Sequence, residues 1–194
     1  MYILKFFVIF TLTSSKINLV FFQLMVFAVT FQGRILGVLI KQDGTLNSKS
    51  YIRHVKVNCI PQMKAVNGGS LDGATWQQDG ASIHCNPNFL NFLDQEFEGR
   101  VLEKRAECDG RRGHCWALRS QDLTVFDFAL WPILKRRVYL SPRPRTLDEL
   151  EARIRNEIDE INRDPDLIQK CHISFRKRAQ LYVQNNGGHF EMFR

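Results

Sequence analysis

Trp76-Gln77-Gln78-Asp79-Gly80-Ala81-Ser82-Ile83-His84 is the stretch on which the reading of this chain turns. Residues 74–78 form a short, half-apolar run with the pattern of a strand, and a carboxylate, Asp79, follows it directly. Gly80 and Ala81 leave room for a close approach to that carboxylate, and a helical segment opens at Asn86-Pro87, where Pro87 suits the first turn. An Asp at a strand end facing a cleft is a natural ligand for a hard divalent cation. Taken singly, such an Asp is more often a turn or cap residue, so a second acidic position is needed before the pattern means more.

That second position lies downstream, in Arg119-Ser120-Gln121-Asp122-Leu123-Thr124-Val125-Phe126-Asp127-Phe128-Ala129-Leu130-Trp131, where Asp127 sits inside an otherwise apolar helical segment. With these two stretches the chain resembles the catalytic domain of mariner-type DDE transposases, in particular a group from insect genomes. In that group a QDGAPPH-like motif carries the second acidic ligand and an SPDLTPLDFFLW-like motif carries the third. The resemblance implies an α/β, ribonuclease H-like mixed sheet flanked by helices. It also implies DNA strand cleavage and transfer supported by Mg2+ or Mn2+, with Asp79 and Asp127 as metal ligands and His84 as the motif histidine. His84 would either orient a phosphate or water near Asp79 or, as we favour, fix the loop through a hydrogen bond. Asp122 reads as a turn or capping residue.

The first acidic ligand of such a site belongs on the opening strand, yet no Asp or Glu occurs from Met1 to Gln42. Two dications need several hard oxygen ligands, and Asp79 with Asp127 leaves that set short. The expectation is at most one weakly bound metal and no efficient strand cleavage. Other departures point the same way: Ser82 and Ile83 replace the usual prolines before the histidine, Gln121 and Val125 replace prolines of the second motif, and Pro132 interrupts the helix. Two rival readings remain. One is a live nuclease whose missing ligand comes from Asp43, Asp72 or a partner chain; the other is an interaction module without a nucleic acid role.

Along the chain, residues 24–31 and 34–41 are β-rich runs joined by Gln32-Gly33, a hairpin signal. Residues 47–63 carry Tyr51, Val55, Cys59 and Met63 at four-residue spacing, the pattern of an amphipathic helix that Pro61 should bend or end. A short strand is expected over 100–104. A helix over 124–138 should start at Thr124 and kink at Pro132. Thr146-Leu147-Asp148-Glu149 is a capping box opening a helix with Leu147, Leu150, Ile154, Ile158 and Ile161 on one face, and a last helix should run from about Pro165 to Gln184. Residues 1–23 read as an apolar leader outside the resemblance, 24–140 as a partial core whose first strand is altered or missing, and 141–194 as C-terminal helices packed on that core. Residues 6–12 could supply a strand, though the same apolar segment also has a faint likeness to a targeting signal. The run 17–31 is broken by Gln23 and is shorter than the ~20 residues a membrane helix needs.

At 194 residues with a formal net charge of +7, the chain suits one domain and a polyanionic partner. Basic clusters at Arg111-Arg112, Lys135-Arg136-Arg137 and Arg176-Lys177-Arg178 are the candidate phosphate contacts, with Arg143 and Arg145 beside them. The expected partner is DNA bound without sequence preference, with no small-molecule substrate, with a homodimer left open, and in the nucleus if the resemblance holds. The five cysteines are odd in number and irregularly spaced, which argues against a disulfide framework. Zinc held by His84, Cys85, Cys108, His114 and Cys115 is disfavoured, because adjacent His114 and Cys115 are poorly placed for one metal.

Overall fold

A computed structural model of the chain describes residues 2–12, 22–41, 46–78, 84, 86–103, 114–115 and 121–186. The sheet is built from β1 (Tyr2–Leu12), β2 (Phe22–Phe31), β3 (Arg34–Lys41), β4 (Thr75–Gln77), β5 (Val101–Glu103) and β6 (His114–Cys115). Its spatial order is β3-β2-β1-β4-β5-β6. The first three strands pair antiparallel, and β1–β4, β4–β5 and β5–β6 pair parallel. The mixed sheet flanked by helices is therefore present, and an opening strand is present rather than missing. Tyr2–Leu12, which the sequence leaves open between a sheet strand and an apolar leader, pairs on one side with β2 from Leu4↔Thr30 to Leu12↔Phe22 and on the other with β4. It lies inside the sheet, so the boundary expected after residue 23 does not separate it from the core. Among the described residues no helix is long and apolar enough to cross a membrane.

The hairpin of β2 and β3 turns at Gln32-Gly33, both with positive φ (49° and 74°). This backbone matches the right-handed twist of the strands it joins. Side chains of β2 alternate between two apolar layers. Leu24, Val26 and Ala28 face one layer; Phe27, Val29 and Phe31 face the other. The first layer is covered by α4 (Trp131–Val138), α5 (Leu147–Asn162) and α6 (Pro165–Gln184). The second is covered by α1 (Ser48–His54), α2 (Ile60–Val66) and α3 (Pro87–Glu96). The four-residue stripe expected over 47–63 is the buried stripe: Tyr51, Val55, Cys59 and Met63 are all fully buried. In α5, Leu150, Ile154, Ile158 and Ile161 are buried as expected, and Leu147 is half-buried at the edge.

The helix ends follow the sequence with one shift. Thr146 Oγ1 accepts from Glu149 N at 3.1 Å, but Glu149 returns its bond to Arg145 N (2.7 Å) rather than to the cap residue's own amide. Asp164 Oδ1 caps α6 by accepting from Leu167 N at 3.1 Å. Both prolines are taken up in the first turns of helices. Pro61 neither ends its helix nor breaks it, because a five-residue π turn, Val55–Cys59, precedes α2 and places Pro61 in the first turn of α2. The same arrangement recurs at Phe126–Leu130 ahead of α4 and Pro132.

Strand β3 is held to both layers by backbone-directed bonds. Asn162 of α5 clamps Ile35, its Oδ1 accepting from Ile35 N (2.7 Å) and its Nδ2 donating to Ile35 O (3.0 Å). On the opposite face Gly37 N donates to Gln62 Oε1 (3.0 Å), and Gly37 O accepts from His54 Nε2 (2.8 Å). Gly37 has φ +59°, and a Cβ there would stand 2.4 Å from Cys59 Sγ. Gly37→Ala is therefore expected to cost about 2–3 kcal/mol in urea unfolding, from left-handed backbone plus the clash. Cys59→Ala in the same chain should recover part of that loss, because it removes the sulfur and leaves the backbone strain.

His172 of α6 gives the fold a pH signature. Burial, and secondarily the Arg176 charge, lower its pKa from the ordinary 6.5. The unfolded chain then binds the proton more readily, so stability rises with pH between the lowered folded value and 6.5. Its contribution is complete above 6.5 and is lost as the pH falls through the folded value. The urea midpoint of the parent protein should fall across that window by more than the midpoint of His172→Gln does.

Candidate active site

Strand β4 delivers the motif that opened the sequence reading. Its pairing continues one residue past the strand, with Gln78 N donating to Leu102 O at 3.0 Å. The Gln78 side chain is fully buried; it accepts from Trp76 Nε1 (3.1 Å) and donates to the His84 carbonyl (3.1 Å). One glutamine amide thus ties the strand end to the backbone of His84, six residues on. Asp79 itself lies outside the described residues, as do Asp43, Arg111 and Arg112. Gln77 points to the other sheet face from Trp76 by strand alternation. It is fully buried, and its amide finds no hydrogen-bond partner among the described residues. The sequence reading passed over Gln77 and Gln78, and only their burial beside the loop marks them.

Asp127 stands in the first turn of the π segment Phe126–Leu130, half-buried. That segment packs directly on β1, and β1 pairs in parallel with β4. The second motif is therefore brought onto the strand adjacent to the one that leads to Asp79. An isolated π turn is a frequent companion of functional positions, and here the apolar neighbours Phe126 and Leu130 anchor it in the core.

His84 does not join this arrangement. It is fully buried, and its ring lies 5.2 Å from that of Tyr51, in the layer covered by α1 and α3. Phe126 and Leu130, which flank Asp127, belong to the helical layer on the opposite face. The ring is fully buried, and the backbone carbonyl of His84 accepts from Gln78 Nε2, a bond of the kind favoured for this position from the sequence. Asp72, the described member of the rival ligand set, stands apart from β4's far end. It is exposed in the turn before β4, at the N-terminal end of a strand whose C-terminal end leads to Asp79.

The basic residues divide. Lys135 and Arg136 at the end of α4, and Arg176 and Lys177 on α6, are exposed and free to meet a polyanion. Arg137 is half-buried, with its guanidinium 3.8 Å from the Glu157 carboxylate. Arg178 is only 8% exposed. Its Nη1 donates to Asp122 O at 3.0 Å, and its guanidinium lies 4.0 Å over the Phe128 ring. It is a brace between α6 and the segment bearing Asp127, not a phosphate contact. Adjacency to Arg176 and Lys177 hid this, because helical neighbours point in different directions.

Arg178→Ala should accordingly lower unfolding free energy by about 2 kcal/mol, from a charged hydrogen bond and a desolvated cation–π contact. Arg178→Lys should recover only part, since an ammonium cannot lie flat on Phe128. Urea denaturation of the three proteins checks both expectations.

Neither a protein-family model nor a curated protein matches the sequence. Solved structures do. The catalytic domain of Mos1 mariner transposase superposes with a TM-score of 0.70 at 12% identity, covering 98% of this chain and 84% of that one. The same domain with Raltegravir and Mn gives 0.69 at 13% identity, with the same coverage. The Mos1 paired-end complex with the left transposon end gives 0.72 at 12% identity, covering 98% of this chain and 56% of that one. Across nearly its whole length, the chain has the fold of a mariner transposase catalytic domain.

Proposed function

We propose that this chain is a transposase-derived, ribonuclease H-like domain that binds DNA without sequence preference, acts in the nucleus, and carries out little or no strand cleavage. The observation that supports the lineage most strongly is the placement of the two motifs: the turn bearing Asp127 lies on β1, next to the strand that leads to Asp79. The likeness to Mos1 structures solved with transposon-end DNA supports DNA as the partner. The exposed Lys135, Arg136, Arg176 and Lys177 supply the charge that phosphate contact requires.

The limited chemistry rests on the donor set. Mos1 structures have been solved with Mn and with Mg, and a two-metal mechanism would use such ions to activate the attacking oxygen and stabilise the leaving one. The residues here do not fit that group. β1, the strand beside β4, contains no Asp or Glu in Tyr2–Leu12. Asp79 and Asp127 would be left as two carboxylates against four positive charges. No catalytic step is assigned to these residues.

Incubation of supercoiled plasmid with the protein in Mg2+ or Mn2+ tests the proposal. The expected outcome is no nicking above the protein-free control. Robust nicking that disappears in Asp79→Asn or Asp127→Asn would overturn it in favour of a working nuclease.

A further inference from the structure

The first helical segment carries a feature that no adjacent-residue cluster reveals. Lys49, Arg53 and Lys56 recur at spacings of four and three, so they share one face of α1 and the π turn, and all three are exposed. No Asp or Glu occurs between Asp43 and Asp72. On the neighbouring α3, Glu96 is already engaged by Lys64 at 2.9 Å. The Lys56 ammonium rests 4.3 Å over the Phe92 ring, which holds its charge against the surface.

Beside this stripe is a groove of about 330 Å³ between the edge strand β3 and the helix. Leu39 and Val57 supply apolar surface, and Lys41, Ser50, Arg53 and Asn58 supply polar and cationic groups. A wall with cations, neutral hydrogen-bonding groups and no carboxylate suits an anionic strand whose charges repeat and whose sugars are apolar. We propose that this groove and the Lys49–Arg53–Lys56 stripe form a second contact surface for the phosphate backbone of duplex DNA, on the sheet face opposite the helical layer that includes Phe126 and Leu130. The inference rests on the DNA-binding reading above and adds a surface that reading does not include.

Fluorescence anisotropy with a labelled duplex, read across 50–300 mM salt (on the order of the range over which phosphate contacts weaken), tests it. The triple variant Lys49→Gln, Arg53→Gln, Lys56→Gln should weaken binding about tenfold or more and reduce the salt slope by about 2–3. The charge-keeping variant Lys49→Arg, Arg53→Lys, Lys56→Arg should bind like the parent, which separates charge loss from misfolding. If the parent binds with a steep salt slope and the triple variant matches it, the second surface is overturned while the DNA reading stands. A parent protein that fails to bind duplex overturns both. Polyglutamate of matched charge displacing the duplex as well as unlabelled DNA does would assign the groove to an acidic protein and overturn the proposal.

Discussion

The pairing of β1 on both of its edges is the constraint that organises everything else in the fold. A strand inside a sheet must satisfy its N–H and C=O groups on two sides. Here β2 takes one side antiparallel and β4 takes the other in parallel. The change of direction at β1 separates the antiparallel half, in which a two-residue turn joins β2 to β3, from the parallel half, where connections must be longer and are usually helical. The helix α1, its π turn and α2 fill the crossover from β3 to β4, and α3 fills that from β4 to β5. The π turn that carries Asp127 then packs back onto β1.

The two π turns show how this frame accommodates prolines that local rules would exclude. Proline lacks an N–H, and its ring collides with the carbonyl four residues back in a regular helix. At Ile60 and Trp131, each immediately before a proline, the N–H instead reaches five residues back, to Val55 O and Phe126 O. The extra residue in the turn moves the offending carbonyl aside, and the helix resumes with proline in its first turn, where a missing donor costs little. Packing offsets the cost of the wider turn: Val55 and Cys59 in one case, and Phe126 and Leu130 in the other, are buried.

Legibility in the sequence tracks periodicity. The 47–63 stripe, the hairpin at Gln32-Gly33, the cap at Thr146 and the face of α5 are readable because each repeats or terminates at a spacing set by backbone geometry. β1 is only half legible, for the same reason in reverse. An interior strand of a sheet with helices on both faces shows no polar alternation, so Tyr2–Leu12, with Lys5 as its one charged residue, looks like any apolar leader. The site is legible only as motifs. That Asp127 rides on β1, that His84 turns inward to Tyr51, and that Arg178 braces Phe128 are facts of tertiary packing between residues distant in the chain. No local spacing encodes them.

Fold and chemistry are separable here because they draw on different atoms of the same strand. β1 holds the sheet together through its main chain, which asks only that its residues tolerate extended backbone. A metal centre would ask that one of those side chains be a carboxylate close to other carboxylates. Clustered acids repel one another and resist burial unless a cation is bound. Replacing the acid on such a strand with an apolar residue removes a cost that the fold bears and the ladder does not need. A chain released from selection for cleavage can therefore keep its sheet order and both apolar layers, and even gain stability, while the corner of the site contributed by β1 is lost. Under the proposed function, the apolar sequence of Tyr2–Leu12 within an otherwise regular mixed sheet is the pattern that this separation predicts.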